Sequence, residues 1–180
     1  MRFTFWKWEG AGNEFLICDA SDWKQRPISE QIVRWCSSDQ GVGADGVIFF
    51  KPLTPKDSQG FHEGWEMDFL NPDGSRSFCG NGSRALFAFL RDSGRIGNSG
   101  WFRACDGDHA VQWNESHQLP SVQMRPVQRP RKIDALHAGS EEAWLADTGS
   151  PHHLEWLGST EPLNSFPVVN EGRIIRNHPL

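Results

Sequence analysis

Long apolar runs are missing from this chain of 180 residues. No stretch approaches the ~20 apolar residues that cross a bilayer as a helix. The start, Met1-Arg2-Phe3-Thr4-Phe5-Trp6-Lys7, has no extended apolar core of the kind a signal peptide carries. A soluble, cytoplasmic protein with no membrane partner is the expectation. Positive charge is also short, with 18 Lys and Arg against 23 Asp and Glu. That balance gives no reason to expect a nucleic-acid partner. The loosest basic group, Arg125, Arg129, Arg131 and Lys132, reads as a solvated linker. Cysteine is sparse: Cys18, Cys36, Cys79 and Cys105 form no Cys-x-x-Cys pair and fit no zinc spacing. Cys18 and Cys36 sit among apolar neighbours and read as buried thiols. Tyrosine is absent beside 9 tryptophans, and nothing functional follows from that imbalance. No repeat or low-complexity tract occurs.

What is present begins with alternation. Residues 2–8 and 14–19 read as strands joined by a turn at Gly10-Ala11-Gly12-Asn13. No third glycine and no helix follow, so this is not a dinucleotide fingerprint. Asn13 either binds a ligand or serves the turn. Residues 29–36 predict a helix with Ser29 as its cap and Ile32, Val33 and Cys36 on one face. A glycine-rich loop, Gly41-Val42-Gly43-Ala44-Asp45-Gly46, leads to a strand at 47–51, and 52–64 reads as a surface loop. A strand at 65–70 puts Trp65, Met67 and Phe69 on one face. Asn71-Pro72-Asp73-Gly74 then carries strong turn chemistry for a hairpin returning through 75–78.

The chain next reaches Cys79-Gly80-Asn81-Gly82-Ser83-Arg84 and the run Ala85-Leu86-Phe87-Ala88-Phe89-Leu90. A helix apolar on all sides is buried on all sides. This one is expected at the centre of a wrapping sheet, ending near Ser93-Gly94. Free N–H groups at its start suit an anion such as a carboxylate. The same partial charge predicts a lowered thiol pKa at Cys79. Beyond it, 101–104 and 109–113 read as a hairpin around Asp106-Gly107-Asp108, a turn rather than a metal cluster. Strands are expected at 121–125, 142–147, 154–157 and 166–169, with a stiff connector at 126–130. His152 and His153 are adjacent, point to opposite faces of any strand, and make a poor metal pair. No closing element is read at the end, which looks like an interruption.

Local chemistry leaves three readings of Cys79 open. A thiolate beside a bound carboxylate can remove the proton from the adjacent carbon, with a second acid on the opposite face returning one. Alternatively, Cys79 is a covalent nucleophile with a histidine base. The plainest reading is that it fills space at a glycine-rich helix start.

Taken in order, the blocks Gly10-Ala11-Gly12-Asn13-Glu14-Phe15, Gly41-Val42-Gly43-Ala44-Asp45-Gly46, Asn71-Pro72-Asp73-Gly74-Ser75, Cys79-Gly80-Asn81-Gly82-Ser83-Arg84 and Gly149-Ser150-Pro151-His152 resemble those of diaminopimelate epimerases. The resemblance covers essentially the whole chain. It implies an α/β (α+β) fold, a barrel-like, mostly antiparallel sheet around a central helix, in two similar domains. Residues 1–117 would form the first and 118–180 an incomplete second. It implies a cofactor-independent epimerase, with no PLP and no metal, converting LL- to meso-diaminopimelate. By position, Cys79 matches a catalytic cysteine and His152 a histidine assisting it. Asn13, Asn71, Gly80 and Asn81 match substrate contacts, and Ser150 stands where the family has a substrate-binding asparagine. The family's second cysteine, in a Cys-Gly-Thr-Gly block, has no counterpart here, and Cys105 lies in the wrong block to replace it. The chain alone is therefore expected to be inactive. A catalytically inactive fragment or ligand-binding remnant of the same fold, or a related PLP-independent racemase or isomerase with another substrate, is the alternative. The reading leaves a homodimer open.

Overall fold

The computed structural model describes residues 3–21, 23, 25–53, 64–137, 139–149, 151–158 and 165–178. They form two compact units, Met1–Arg125 and Pro126–Leu180.

In the first unit, β1 (Trp6–Gly10) and β2 (Asn13–Asp19) make an antiparallel hairpin. A crossover through α1 (Ser29–Cys36) brings β3 (Gly46–Pro52) parallel to β2, and β4 (Gly64–Leu70) runs antiparallel to β3. The short β5 (Arg76–Ser77) returns along β4. Then α2 (Gly80–Asp92) crosses to β6 (Ser99–Ala104), parallel to β4, and β7 (Gly107–Asn114) and β8 (Leu119–Val122) complete the sheet. Strand order is β1-β2-β3-β4-β6-β7-β8, with β5 off the path. Helix α2 packs on β1, β2 and β8, so both ends of this order meet the same helix and the sheet is curled around it.

The reason lies in two buried faces. Phe15, Ile17, Ile48, Phe50, Met67 and Phe69 point at α2, where they meet Ala85, Leu86, Phe87, Phe89 and Leu90. Leu16, Cys18, Val47 and Phe49 point the other way and are covered by Ile32 and Cys36 of α1. Strands buried on both faces read as continuous apolar runs, as Phe15-Leu16-Ile17-Cys18 and Val47-Ile48-Phe49-Phe50 do. Trp65, Met67 and Phe69 do share the inner face. The predicted cap at Ser29 is displaced by one residue: the cap is Ile28, whose N–H donates to the Gln31 side chain at 3.1 Å. The loop expected at 52–64 falls mostly outside the described residues.

The second unit is a three-stranded antiparallel sheet, β9 (Arg131–Ile133), β10 (Ser140–Asp147) and β11 (Pro151–Leu157), followed by α3 (Val168–Arg176). The strand expected at 166–169 is corrected, because Val168 and Val169 open α3. A helix capped at Asn177 therefore stands where no element was read. The strand expected at 121–125 is β8, which ends at Val122. Lys132, assigned to a linker, lies in β9 and pairs with Glu142 at 2.9 Å. Among the described residues, no helix is long and apolar enough to cross a membrane.

Candidate functional site

The site starts from the β4–β5 hairpin. Gly74 takes φ +82°, and a Cβ there would come within 2.9 Å of the Ser29 side chain, so conformation and space both require glycine. Asp73 Oδ1 accepts from the Ser75 N–H at 2.8 Å and its hydroxyl at 2.5 Å. The Asn71 amide nitrogen donates to Ser75 O at 3.1 Å, Ser75 Oγ at 3.2 Å and Ser77 Oγ at 3.0 Å. Asn71 thus holds the turn that delivers the chain to Cys79.

Cys79 is the N-cap of α2, with φ −133° and ψ 107°. Its sulfur accepts from the Gly82 N–H at 3.3 Å, and its carbonyl accepts from the Ser83 N–H at 2.8 Å and the Ser83 hydroxyl at 2.9 Å. Gly82 is tightly placed, since a Cβ would lie 3.2 Å from Ile48 Cδ1 and 3.4 Å from the sulfur itself. The expected lowering of the thiol pKa does not occur. Burial pushes the Cys79 thiol above its ordinary value, against the opposing pull of the Gly82 and Asn81 N–H groups and Arg84, and Asp45 adds to the rise. Desolvation of the charged form outweighs the helix start.

Beside the sulfur runs a relay of amides. Arg84 donates to Asn81 Oδ1. Asn81 Nδ2 donates to Asn13 Oδ1 at 2.9 Å, and Asn13 Nδ2 donates to Asp45 Oδ2 at 3.3 Å. The same Asp45 oxygen accepts from the Glu14 N–H at 2.9 Å. A cation at one end and a carboxylate at the other leave each amide a single orientation. Asn13, Cys79, Gly80 and Asn81 are therefore brought together, with Asn71 one hairpin away. Asp45 and Arg84 carry the relay's charged ends, although they were not among the residues singled out as contacts. The parallel register, with Phe15 opposite Gly46, sets Asp45 beside Glu14. Arg84 also lines a cleft of about 520 Å³ with Trp8, Gly10, Ala88, Leu119 and Pro120. Cys79 is not in its wall.

His152 lies on β11 in the second unit, exposed, its Nδ1 3.3 Å from the Thr148 hydroxyl. His153 faces Glu155, Nε2 to Oε1 at 2.7 Å. Ser150 lies outside the described residues. Cys105 is exposed in the turn between β6 and β7, and Cys18 and Cys36 are buried, as their neighbours suggested.

No protein-family model matches the chain. Diaminopimelate epimerase from Aquifex aeolicus (strain VF5) is 32% identical over 185 residues, covering 97% of this chain and 63% of that protein. Its counterpart from Synechococcus sp. (strain JA-2-3B'a(2-13)) is 30% identical over 200 residues, covering 99% and 67%. The chain belongs to the diaminopimelate epimerase family. It spans less than two thirds of the length of the Aquifex epimerase. Its curled sheet also matches the solved Bacillus anthracis phenazine biosynthesis protein of the PhzF family, with TM-score 0.59 at 17% identity, covering 88% of this chain and 57% of that one. That likeness concerns the fold.

Proposed function

We propose that this member of the epimerase family supplies one half of a cofactor-independent active site that interconverts LL- and meso-diaminopimelate. The observation that carries the reading is Cys79 as N-cap of α2, its sulfur accepting from Gly82 N–H at 3.3 Å. The oriented Asn13–Asn81 pair stands alongside it. A substrate carboxylate at the helix start would meet the N–H groups of Gly80 and Asn81, the latter shared with the Cys79 sulfur. Charge developing on that carboxylate as the α-proton leaves would strengthen those contacts. A thiol held neutral by burial is suited to give a proton to the α-carbon, and a second thiol on the opposite face removes the original one. This chain offers no second cysteine in the family's block, so it is proposed to need the Cys-Gly-Thr-Gly half to turn over. His152 is proposed to assist Cys79, and Ser150 to replace an amide contact with a hydroxyl.

The second reading is a silent remnant of the same fold, and the raised Cys79 thiol favours it, because the uncharged form abstracts nothing. Incubation with LL-diaminopimelate in deuterated water separates the two. The chain alone is expected to form no meso isomer. Mixed with a polypeptide carrying the family's second-cysteine half, it is expected to form α-deuterated meso product. Turnover by the chain alone would sink the two-thiol argument, and none by the mixture would favour the remnant.

A further inference from the structure

Among the described residues three polar side chains are buried: Asp68, Ser83 and His109. Asp68 is held by Arg26 and Arg76, and Ser83 by the Cys79 carbonyl. His109 has no part in the site described above, and its side chain is fully buried. Its Nδ1 lies 2.9 Å from the Gln123 carbonyl oxygen and its Nε2 lies 2.9 Å from Asp106 Oδ1. A backbone carbonyl accepts only, and so does an ionised carboxylate. A neutral imidazole has one N–H, so one of the two contacts would set lone pair against lone pair. With Asp106 ionised, both close only when both nitrogens carry hydrogen.

The surrounding charges fit a cation here. From the β6–β7 turn, the Asp106 carboxylate faces the ring, with Cys105 beside it. From β6 and β7, Arg103 and Asp108 neutralise each other, Nε to Oδ1 at 2.9 Å. From the segment after β8, Arg125 donates to the Asp106 carbonyl rather than to its carboxylate. At the junction of β5 and α2, Phe78 lies flat on the imidazole, ring centroids 4.0 Å apart and planes 7° from parallel. A cation over an aromatic face is attracted by the ring's quadrupole. Phe78 is buried and directly precedes Cys79.

We infer that His109, held as an imidazolium between Asp106 and the Gln123 carbonyl, is a positioning residue for Cys79, clamping the Phe78 ring and so fixing the strand-to-helix step that presents the thiol. The inference rests on the proposed function only in taking Cys79 as the reacting thiol. Loss of the second proton breaks one of the two ring contacts, frees the clamp, and changes how Cys79 is presented.

The test uses the 180-residue chain and needs no turnover, so its failure is separate from failure of the proposed reaction. Nitrogen-15 spectra of the histidine rings are expected to show both nitrogens of His109 protonated near neutral pH. A neutral tautomer there would overturn the inference. Asp106→Asn keeps an acceptor for Nε2 but removes the charge that holds the second proton. It is expected to abolish the imidazolium pattern and change the rate of Cys79 alkylation by iodoacetamide, read by peptide mass spectrometry, by roughly threefold or more, as small misplacements do. Asp106→Glu restores both, and Asp108→Asn alters neither. An unchanged Cys79 rate in an Asp106→Asn chain whose His109 is neutral overturns the inference. Where Asp106→Asn does not fold, the wild-type chain is carried upward in pH. The ratio of Cys79 to Cys105 alkylation is then expected to change where His109 turns neutral, and a flat ratio through that point overturns it.

Discussion

Around α2 the first unit buries Phe15, Ile17, Phe50, Leu86, Phe87, Leu90 and Phe102 in one cluster. In the second unit Ala143 is the single buried apolar residue among those described, and α3 buries none. Val168, Val169, Ile174 and Trp156 are exposed there. Order in the second unit comes instead from a carboxylate. Glu155 accepts from Leu136 N–H at 2.7 Å, from His137 N–H at 3.2 Å, from the Ser140 hydroxyl and from His153. Glu171 of α3 reaches His137 Nδ1 at 3.3 Å. One unit is thus an apolar core with a polar site at its helix start, and the other a polar network with little core. The first should answer to lost volume, and the second to lost charge.

The largest expected effect comes from Leu86→Ala. Leu86 is fully buried on α2, and truncation there costs about 2–5 kcal/mol through lost burial and the cavity left behind. Hydrogen exchange is expected to show amides of 6–122 losing protection while those of 131–157 keep theirs. Equal loss in both units would erase the distinction.

Glu155→Gln is the mirror experiment. The amide keeps one acceptor oxygen and leaves donors among Leu136, His137 and Ser140 unpaired, at a cost of about 1–3 kcal/mol confined to the second unit. Acid gives the same result without substitution. Burial alone would raise the Glu155 carboxyl, but the Ser140 hydroxyl, the Leu136 and His137 N–H groups and His153 together hold it at about 2, against an ordinary 4.5. A carboxyl depressed by folding stabilises the fold above its unfolded value, and that contribution is lost as pH falls toward the folded one. Protection of 131–157 is therefore expected to decline from pH 4.5 downward and to lose the Glu155 contribution by about pH 2. An acid response concentrated in 6–122 would reverse the comparison.

How much of this was legible follows the same division. Strands at 14–19 and 47–51 were legible as β2 and β3, and the apolar run after Cys79 announced α2, because in the first unit burial writes itself into the sequence. Where burial is absent, the signal fails. Val168 and Val169 favour strands, Pro167 precedes them, and Gly172 interrupts the run, so 166–169 read as a strand and the rest of α3 as no element; no buried face imposed a helical period. The relay was half visible. Asn13 and Asn81 stood out as residue types, whereas Asp45 looked like part of a glycine-rich loop, because only the β2–β3 register carries it to Asn13 across 32 positions. The thiol direction was misread for a related reason: the helix start is local in sequence, but the burial that outweighs it comes from the distant strands of the apolar core, Ile48 of β3 among them.

Within the first unit the comparison narrows to four thiols in one fold. Burial pushes Cys18 up to about 12 and, with help from Asp45, Cys36 up to about 11, so both are expected to resist alkylation until the unit unfolds. Cys79 is raised by burial too, but Gly82 N–H, Asn81 N–H and Arg84 pull it back, and Asp45 pushes it further up. Asp45→Asn removes that last push and keeps an oxygen for the Glu14 N–H and Asn13. The remaining charge near the sulfur is then Arg84, which favours thiolate. At fixed pH the Cys79 alkylation rate is expected to rise by roughly two- to fivefold, the size of a single partly screened charge. Cys105, in the β6–β7 turn and not subject to Asp45, serves as the reference in the same digest. A fall in the Cys79 rate would mean that Asp45 acts on the thiol chiefly by orienting Asn13 and Asn81, and that the relay outweighs its charge.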